Sequence, residues 1–461
     1  MNFIDHLKMW EEFPAGHIAT EELLADLLTA AQTSKNASPE MWEMMKRVLE
    51  EHAPFKGRNK KKDAENETQR CRSIADLGIY PRNVKELIIA FIESCNIEMN
   101  FNGSFTMRGE ASEANYIQNE MELWSSDVKY FSERSIRAAF QNWQVDERKR
   151  RTKAAYKKIR YVPDSDPDQL ELDKLIHLIV ANAGDATETD RNRKAAKVAI
   201  SNFIYRVKNH MRGKWKHGCH LMPVLYGSQG CGKTTVVQHL TSPIDEFISD
   251  VGFGMLNDNA QLHQVTVMPV MFFDEMAGIK SADVEALKGV MTANTKQIRQ
   301  IYEAASVKTI VSTFIGCSNR DIRTLIRDET GNRRFLQIDM KLADRKDIYQ
   351  IDMLKIWRSV DEDGQAPLFE NKQQIEDVQE EQRCKSPIEE WLDTMPAFKD
   401  AKASVLFANQ YSYWLNQNYP GDAKYMNVRK FGLELTRLVS ESRVDNLTFT
   451  KKQGTNYYSI A

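Results

Sequence analysis

The eight residues from Gly227 to Thr234, in the stretch LMPVLYGSQGCGKTTVVQHL, have the types and order that can hold a triphosphate. Gly227 and Gly232 bracket a loop whose backbone N–H groups can wrap a phosphate, because glycine lets the chain turn and approach closely. Ser228, Gln229, Gly230 and Cys231 fill that loop. Lys233 would reach the β- and γ-phosphates, Thr234 would offer its hydroxyl to Mg²⁺, and Thr235 continues the phosphate-contacting run. A helix starting near Lys233 adds the positive end of its dipole. The chemistry implied is hydrolysis of a nucleoside triphosphate, ATP with Mg²⁺, at this loop.

Hydrolysis also needs a metal-holding carboxylate and a group to polarise water. The apolar run VMPVMFFDE ends in Asp274-Glu275, forty-one residues after Lys233. At a strand end beside the loop, Asp274 would hold Mg²⁺ through water and Glu275 would polarise the attacking water. The competing reading is a solvated acidic pair. A third apolar run, TIVSTFIGCSN, ends in Asn319, whose neutral amide would hold water or the γ-phosphate without adding negative charge; a turn-forming asparagine is the alternative. Fifteen residues further on, Arg334, with Arg333 before it, lies in a turn leading into FLQIDM. An arginine there would stabilise the spreading phosphate charge of a neighbouring subunit, or else form an ordinary surface ion pair.

These residues need elements to position them. Between about 220 and 340, β-rich apolar runs (LMPVLYG, VMPVMFFDE, KTIVSTFIGCSN, RRFLQIDM) alternate with helical stretches, which predicts an α/β domain around a buried, largely parallel sheet. The whole chain of 461 residues has room for about three domains. Hydrophobic residues make up 42% of it, enough for real cores. Net charge is only -2, so any affinity for nucleic acid must come from local clusters. The six cysteines (Cys71, Cys95, Cys219, Cys231, Cys317, Cys384) form no CxxC pair, which argues against zinc or a disulfide framework. With neither a signal-like start nor an apolar run that could span a bilayer, the reading is no membrane partner and a cytoplasmic location.

The order and spacing of YGSQGCGKTT, MFFDEM, ALKGVMTANTKQIRQIY, STFIGCSN and ETGNRRF resemble superfamily 3 helicases, of the phage and satellite-element type grouped with virulence-associated protein E. The resemblance covers about 195–385, is weaker over 80–195 and does not extend to 1–80. It implies an AAA+ ring, usually a hexamer, that hydrolyses ATP between subunits and pulls DNA through its pore in a bacterial host cytoplasm. Lys233, Thr234, Asp274, Glu275 and Asn319 keep the roles given above. The Arg-Phe pair points to Arg334 as the finger, with Arg333 next. Such helicases carry a DNA-contacting hairpin before the third motif, and IRQIYEAASVKTIV occupies that position. Lys296, Arg299 and Lys308 would then contact phosphates without reading bases. A hairpin with a solvated edge is the alternative.

Outside this block, 1–80 reads as a helical region, with Leu23, Leu24, Leu27 and Leu28 at helical spacing and Ser38-Pro39 as a cap and first turn. The polar stretch 56–67 reads as an exposed basic linker. Residues 81–165 read as a small α+β module with a hairpin turning at Asn102-Gly103, followed by a helix capped by Ser132. The run RKRRTKAAYKKIR (148–160) carries eight cations in thirteen residues and is either a DNA track or a solvated helix face. The ATPase domain takes 166–387. Residues 388–461 follow as helix, helix and two β-runs, which suggests a winged helix and is similar to the C-terminal domains of phage primase-helicases. Arg429, Lys430 and Arg437, with Lys451 and Lys452 on the wing, suit groove and phosphate contact. Tyr411, Tyr413 and Trp414 read as core.

No primase-like carboxylate pair or zinc set occurs in 1–190, so primer synthesis is not expected and a separate primase is a candidate partner. The leading function is a DNA helicase acting on single-stranded and forked DNA. An origin-binding initiator or loader, and a P-loop ATPase acting on protein, are the competing classes.

Overall fold

The apolar runs of the central block form a five-stranded, all-parallel sheet: β1 (Met222–Tyr226), β2 (Ile248–Asp250), β3 (Val270–Phe273), β4 (Thr313–Ser318) and β5 (Phe335–Asp339), in the order β5-β1-β4-β3-β2. The computed structural model describes the chain except Arg58, 129–130, 215–217, 219, 299–305, 327–332 and 461, and except the side chains of 126–128, 259–260, 281 and 422. Strands β3 and β4 are buried along their whole length, as the apolar VMFF of β3 and the FIGC centre of β4 require in a sheet covered on both faces. Register is continuous: Tyr226 of β1 lies opposite Asp339 of β5 and Ser318 of β4, and Phe273 of β3 lies opposite Gly316 of β4. All five carboxyl ends therefore share one edge. A Cβ at Gly316 would sit 2.6 Å from Met276 Sδ and 2.8 Å from Met222 Cε, so both methionine side chains would have to shift to admit one.

The chain forms two compact units, one of 1–158 with 244–247 and one of 159–243 with 248–461. In the first, helices Phe3–Glu11, Glu21–Gln32, Pro39–His52 and Lys60–Leu77 enclose Leu7, Trp10, Leu27, Met45 and Leu49. Ser38 caps its helix by accepting from Met41 N–H. Residues 60–67 are helix rather than the linker read from their polarity. The buried positions of that helix are small ones, Ala64, Thr68, Cys71 and Ala75, at helical spacing on a charged background. Burial pushes the Cys71 thiol up to about 12. A three-stranded meander (Ile97–Met99, Phe105–Met107, Glu110–Ser112) turns at Gly103 (φ 90°), so the hairpin is as read but gains a third strand. The basic run, except Arg160, belongs to a 27-residue helix, Glu133–Ile159. Arg150 and Arg151 pair there with Glu147, Arg151 also with Glu246, and Arg148 donates to Phe101 O. Part of that run is thus spent on internal ion pairs.

In the second unit, helix α1 (Ala186–Met211) leads to the sheet, and its last turns are buried all round. Its polar side chains consequently need partners. Lys208 Nζ donates to Val360 O (2.6 Å) and Glu362 Oε2 (3.0 Å), and Tyr161 N–H donates to the same carboxylate. Burial lowers the Lys208 ammonium to about 8, against the pull of Glu362. His210 Nδ1 lies 2.8 Å from Val311 O, and burial, with the Arg206 charge, lowers its imidazole to about 3. The C-terminal part packs Trp391, Tyr411 and Phe431 together, with Tyr411 and Phe431 stacked at 4.6 Å. Helices Pro387–Thr394 and Val428–Ser440 adjoin a sheet in the order 398–402, 455–460, 447–452. The strand Phe398–Lys402 was not legible from KDAK. Tyr413 is 69% exposed, so of the three aromatics read as core it stands outside, one residue round the helix from Trp414. No helix among the described residues is long and apolar enough to cross a membrane.

Two stability predictions follow from α1. Glu362→Ala strands a buried ammonium and should cost about 3–5 kcal/mol in chemical denaturation, whereas removing both charges (Lys208→Met with Glu362→Leu) should cost less. An unfolded histidine takes a proton below about pH 6.5, while folded His210 resists until about 3. Stability conferred above 6.5 is therefore lost as pH falls through that window. The urea midpoint of His210→Asn should fall less between pH 7 and pH 4.5 than that of the unaltered protein.

Candidate phosphate site

Strand β1 ends at Tyr226, and the loop of Gly227–Gly232 carries the chain into helix α2 (Lys233–Thr241). Gly230 (φ 84°) and Gly232 (φ 99°) take the left-handed conformation that lets the loop curl before the helix begins. Gly227 is tightly surrounded for a different reason: a Cβ there would lie 2.8 Å from Cys231 Sγ and 3.2 Å from Met340 O, so the thiol would have to move and the backbone give by a few tenths of an ångström. The segment after β5 backs the loop, with Ala343 N–H donating to Cys231 O. Lys233 Nζ folds over the loop and donates to Gly227 O (2.8 Å) and Ser228 O (2.9 Å). Ser228, Gln229 and Gly230 are exposed; Cys231 and Thr235 are buried.

Strand β4 lies between β1 and β3 and joins the loop to the carboxylates. Gly227 N–H donates to Ser318 O, and Met276 N–H, just past Asp274-Glu275, donates to Cys317 O. Thr234 Oγ1 donates to Asp274 Oδ1 at 2.6 Å. A hydroxyl and a carboxylate oxygen in direct contact, beside the glycine loop, are the hard oxygen donors that Mg²⁺ prefers. The donor set therefore fits that ion. Glu275 Oε1 accepts from Ala277 N–H at 2.7 Å and is exposed, as is Asn319 one residue past β4. Partial desolvation, with the neighbouring Asp274 charge, raises Asp250 at the end of β2, and burial raises the Cys317 thiol. Asp250 escaped the sequence reading because β2 is three residues long and shows no periodicity.

Arg333 and Arg334 are not at this edge. They precede β5, and Arg334 O accepts from Met222 N–H at the start of β1. A five-residue strand, roughly 16 Å, separates them from the loop of their own chain. Neither guanidinium has a hydrogen bond or ion pair among the described residues.

Residues 295–298 and 306–309 form an antiparallel ribbon in which Lys296 lies directly opposite Lys308. Like charges so placed repel and favour an anionic partner. Arg299 lies outside the described residues. In the C-terminal part Arg429 and Lys451 are exposed, Lys430 donates to Tyr425 O, Lys452 pairs with Asp400 (2.9 Å), and Arg437 pairs with Glu434 and Glu441. Arg437 and Lys452, which the sequence offers to DNA, thus each also meet a carboxylate of their own chain.

Residues 172–385 match the model of the virulence-associated protein E-like domain. Among solved structures, the chain is similar to the apo C-terminal region of NrS-1 at 15% identity, over 63% of this chain and 75% of that one, with a TM-score of 0.34. An A form of the same region aligns at 14% identity over 66% and 76%, with the same score. JCV helicase bound to an aryl acetamide aligns at 11% identity over 53% and 69%, with a TM-score of 0.28. No curated protein matches.

Gly227→Ala should abolish binding of a fluorescent ATP analogue while leaving the melting temperature within a few degrees. Unchanged affinity would show that the close approach at Met340 has no bearing on the loop.

Proposed function

We propose that this protein is an ATP-dependent DNA helicase that assembles as a ring, usually six copies, and translocates on single-stranded DNA during replication of a phage or mobile element. One observation carries this reading: Lys233, Thr234, Asp274, Glu275 and Asn319 gather at one edge of the sheet, while Arg333 and Arg334 lie at the other end. A chain so built cannot bring its own arginines to its own phosphate, but a neighbour in a ring can. The match over 172–385 supports the same class.

In this scheme the phosphates replace Gly227 O and Ser228 O as partners of Lys233, and backbone N–H groups of 228–235 enclose the β-phosphate. Thr234 and Asp274 would hold Mg²⁺, whose charge screens the β- and γ-phosphate oxygens. Glu275 leaves Ala277 N–H and accepts a proton from the attacking water, which Asn319 orients, as the water oxygen bonds the γ-phosphorus and the bond to the β–γ bridging oxygen breaks to release ADP. The neighbour's Arg334, with Arg333 as the alternative, stabilises the charge spreading over the γ-phosphoryl group. Lys296, Lys308 and Arg299 would meet the backbone of single-stranded DNA in the pore.

A second reading, an initiator that binds its origin, is favoured by the C-terminal part. Its helix–strand–helix–helix–strand–strand order fits a winged helix, with Arg429, Lys430, Lys451 and Lys452 on the helix and wing. The two readings are compatible in one protein. A separate primase would supply primers.

Strand separation on a fluorescent forked DNA with ATP and Mg²⁺ tests the proposal. The protein should open the fork and Lys233→Ala should not, with ATP turnover down at least about a hundredfold. ATP hydrolysis by the unaltered protein without any strand opening would reject the helicase reading.

A further inference from the structure

The sheet edge that would face a γ-phosphate carries Asp250, Asp274 and Glu275, while the loop itself supplies the one ammonium of Lys233. Asn319 adds no charge. A triphosphate differs from a diphosphate at this edge by its terminal negative group, so a cation of the same chain close to Asn319 would favour the triphosphate before any neighbour contributes.

Arg320 has that position. Ser318 is fully buried, and its Oγ both accepts from Arg320 N–H (3.0 Å) and donates to Arg320 O (2.6 Å). This pair of bonds locks the bend that ends β4. The carbonyl of the same serine accepts from Gly227 N–H, so the Arg320 backbone is anchored within two residues of a bond to the first glycine of the loop. The neighbouring carboxylate is already engaged. Asp321 caps the helix Ile322–Leu325 and takes a two-pronged ion pair from Arg323, at 2.5 Å for its shortest contact. Arg320 is exposed, and its guanidinium has no hydrogen bond or ion pair among the described residues. A fixed backbone with an uncommitted planar cation, next to an amide already suited to the γ-phosphate, is built to meet phosphate oxygens.

We propose that Arg320 contacts the γ-phosphate of ATP bound in its own chain and lets the site distinguish ATP from ADP. The inference rests on the ATPase reading and gives that site a second, same-chain cation, separate from the arginine of the neighbour. Arg323, tied to Asp321, has no share in it.

The test is calorimetric titration of the full chain with AMP-PNP and with ADP, each with Mg²⁺, for the unaltered protein, Arg320→Ala, Arg320→Lys and Arg323→Ala. Arg320→Ala should weaken AMP-PNP about 10–100-fold and ADP less than about threefold, the loss of one charge-assisted hydrogen-bond partner. Arg320→Lys should fall between, and Arg323→Ala should keep the original ratio. Unchanged AMP-PNP affinity in Arg320→Ala, or equal weakening of both nucleotides, would overturn the assignment while leaving the ATPase reading intact. If the unaltered protein bound neither nucleotide, the phosphate site itself would fail and this inference with it.

Discussion

Two backbone hydrogen bonds to consecutive carbonyls of β4 hold the candidate site together. In an extended strand neighbouring carbonyls point to opposite sides. Cys317 O therefore accepts from Met276, beyond the carboxylates on β3, while Ser318 O accepts from Gly227, at the loop after β1. Each bond adds only about 1 kcal/mol net, but a buried carbonyl left without its donor costs about 1–3 kcal/mol, so the pairing is difficult to undo. Because β4 stands between β1 and β3, it also places Asn319 between the glycine loop and Asp274. Beside Gly316, Met276 and Met222 fill the space that a side chain on β4 would take.

The parallel register has a second consequence. Since β1 and β5 run side by side from Met222 and Phe335 to Tyr226 and Asp339, whatever precedes β5 is held a full strand length from the loop. The sequence places Arg333 and Arg334 there, so separation from their own phosphate site follows from topology alone. The ribbon between β3 and β4 adds a local positive field, because Lys296 faces Lys308. The carboxyl edge and the distant arginines derive from one sheet and the lysine-bearing ribbon is a separate one inserted between two of its strands, and the proposed function gives each of the three a role.

Much of this was legible in the sequence. The loop, Asp274-Glu275 and Asn319 each end an apolar run, and strand ends are where a parallel sheet presents its functional groups. Less legible were features without periodicity or long apolar runs. β2 is too short to read, and Phe398–Lys402 is a mostly polar edge strand. The helix Lys60–Leu77 buries alanine, threonine and cysteine rather than large side chains, and so resembled a linker. The ion pairs were not legible either: of the cations of 148–160, read as a DNA track or a solvated helix face, and of Arg437 and Lys452, several meet Glu147, Glu246, Glu434 and Asp400. Pairing of that kind depends on packing and is invisible until the chain is folded.

The central claim is that one chain supplies the phosphate loop and the next supplies the arginine. Its most direct measurement is ATP turnover by mixed preparations of Lys233→Ala chains and chains with both Arg333 and Arg334 changed to alanine. Each variant alone should be inactive. Together they should regain part of the normal rate, because some interfaces then join an intact loop to an intact arginine. Mixtures as inactive as their components, or full activity in the arginine variant alone, would contradict the account.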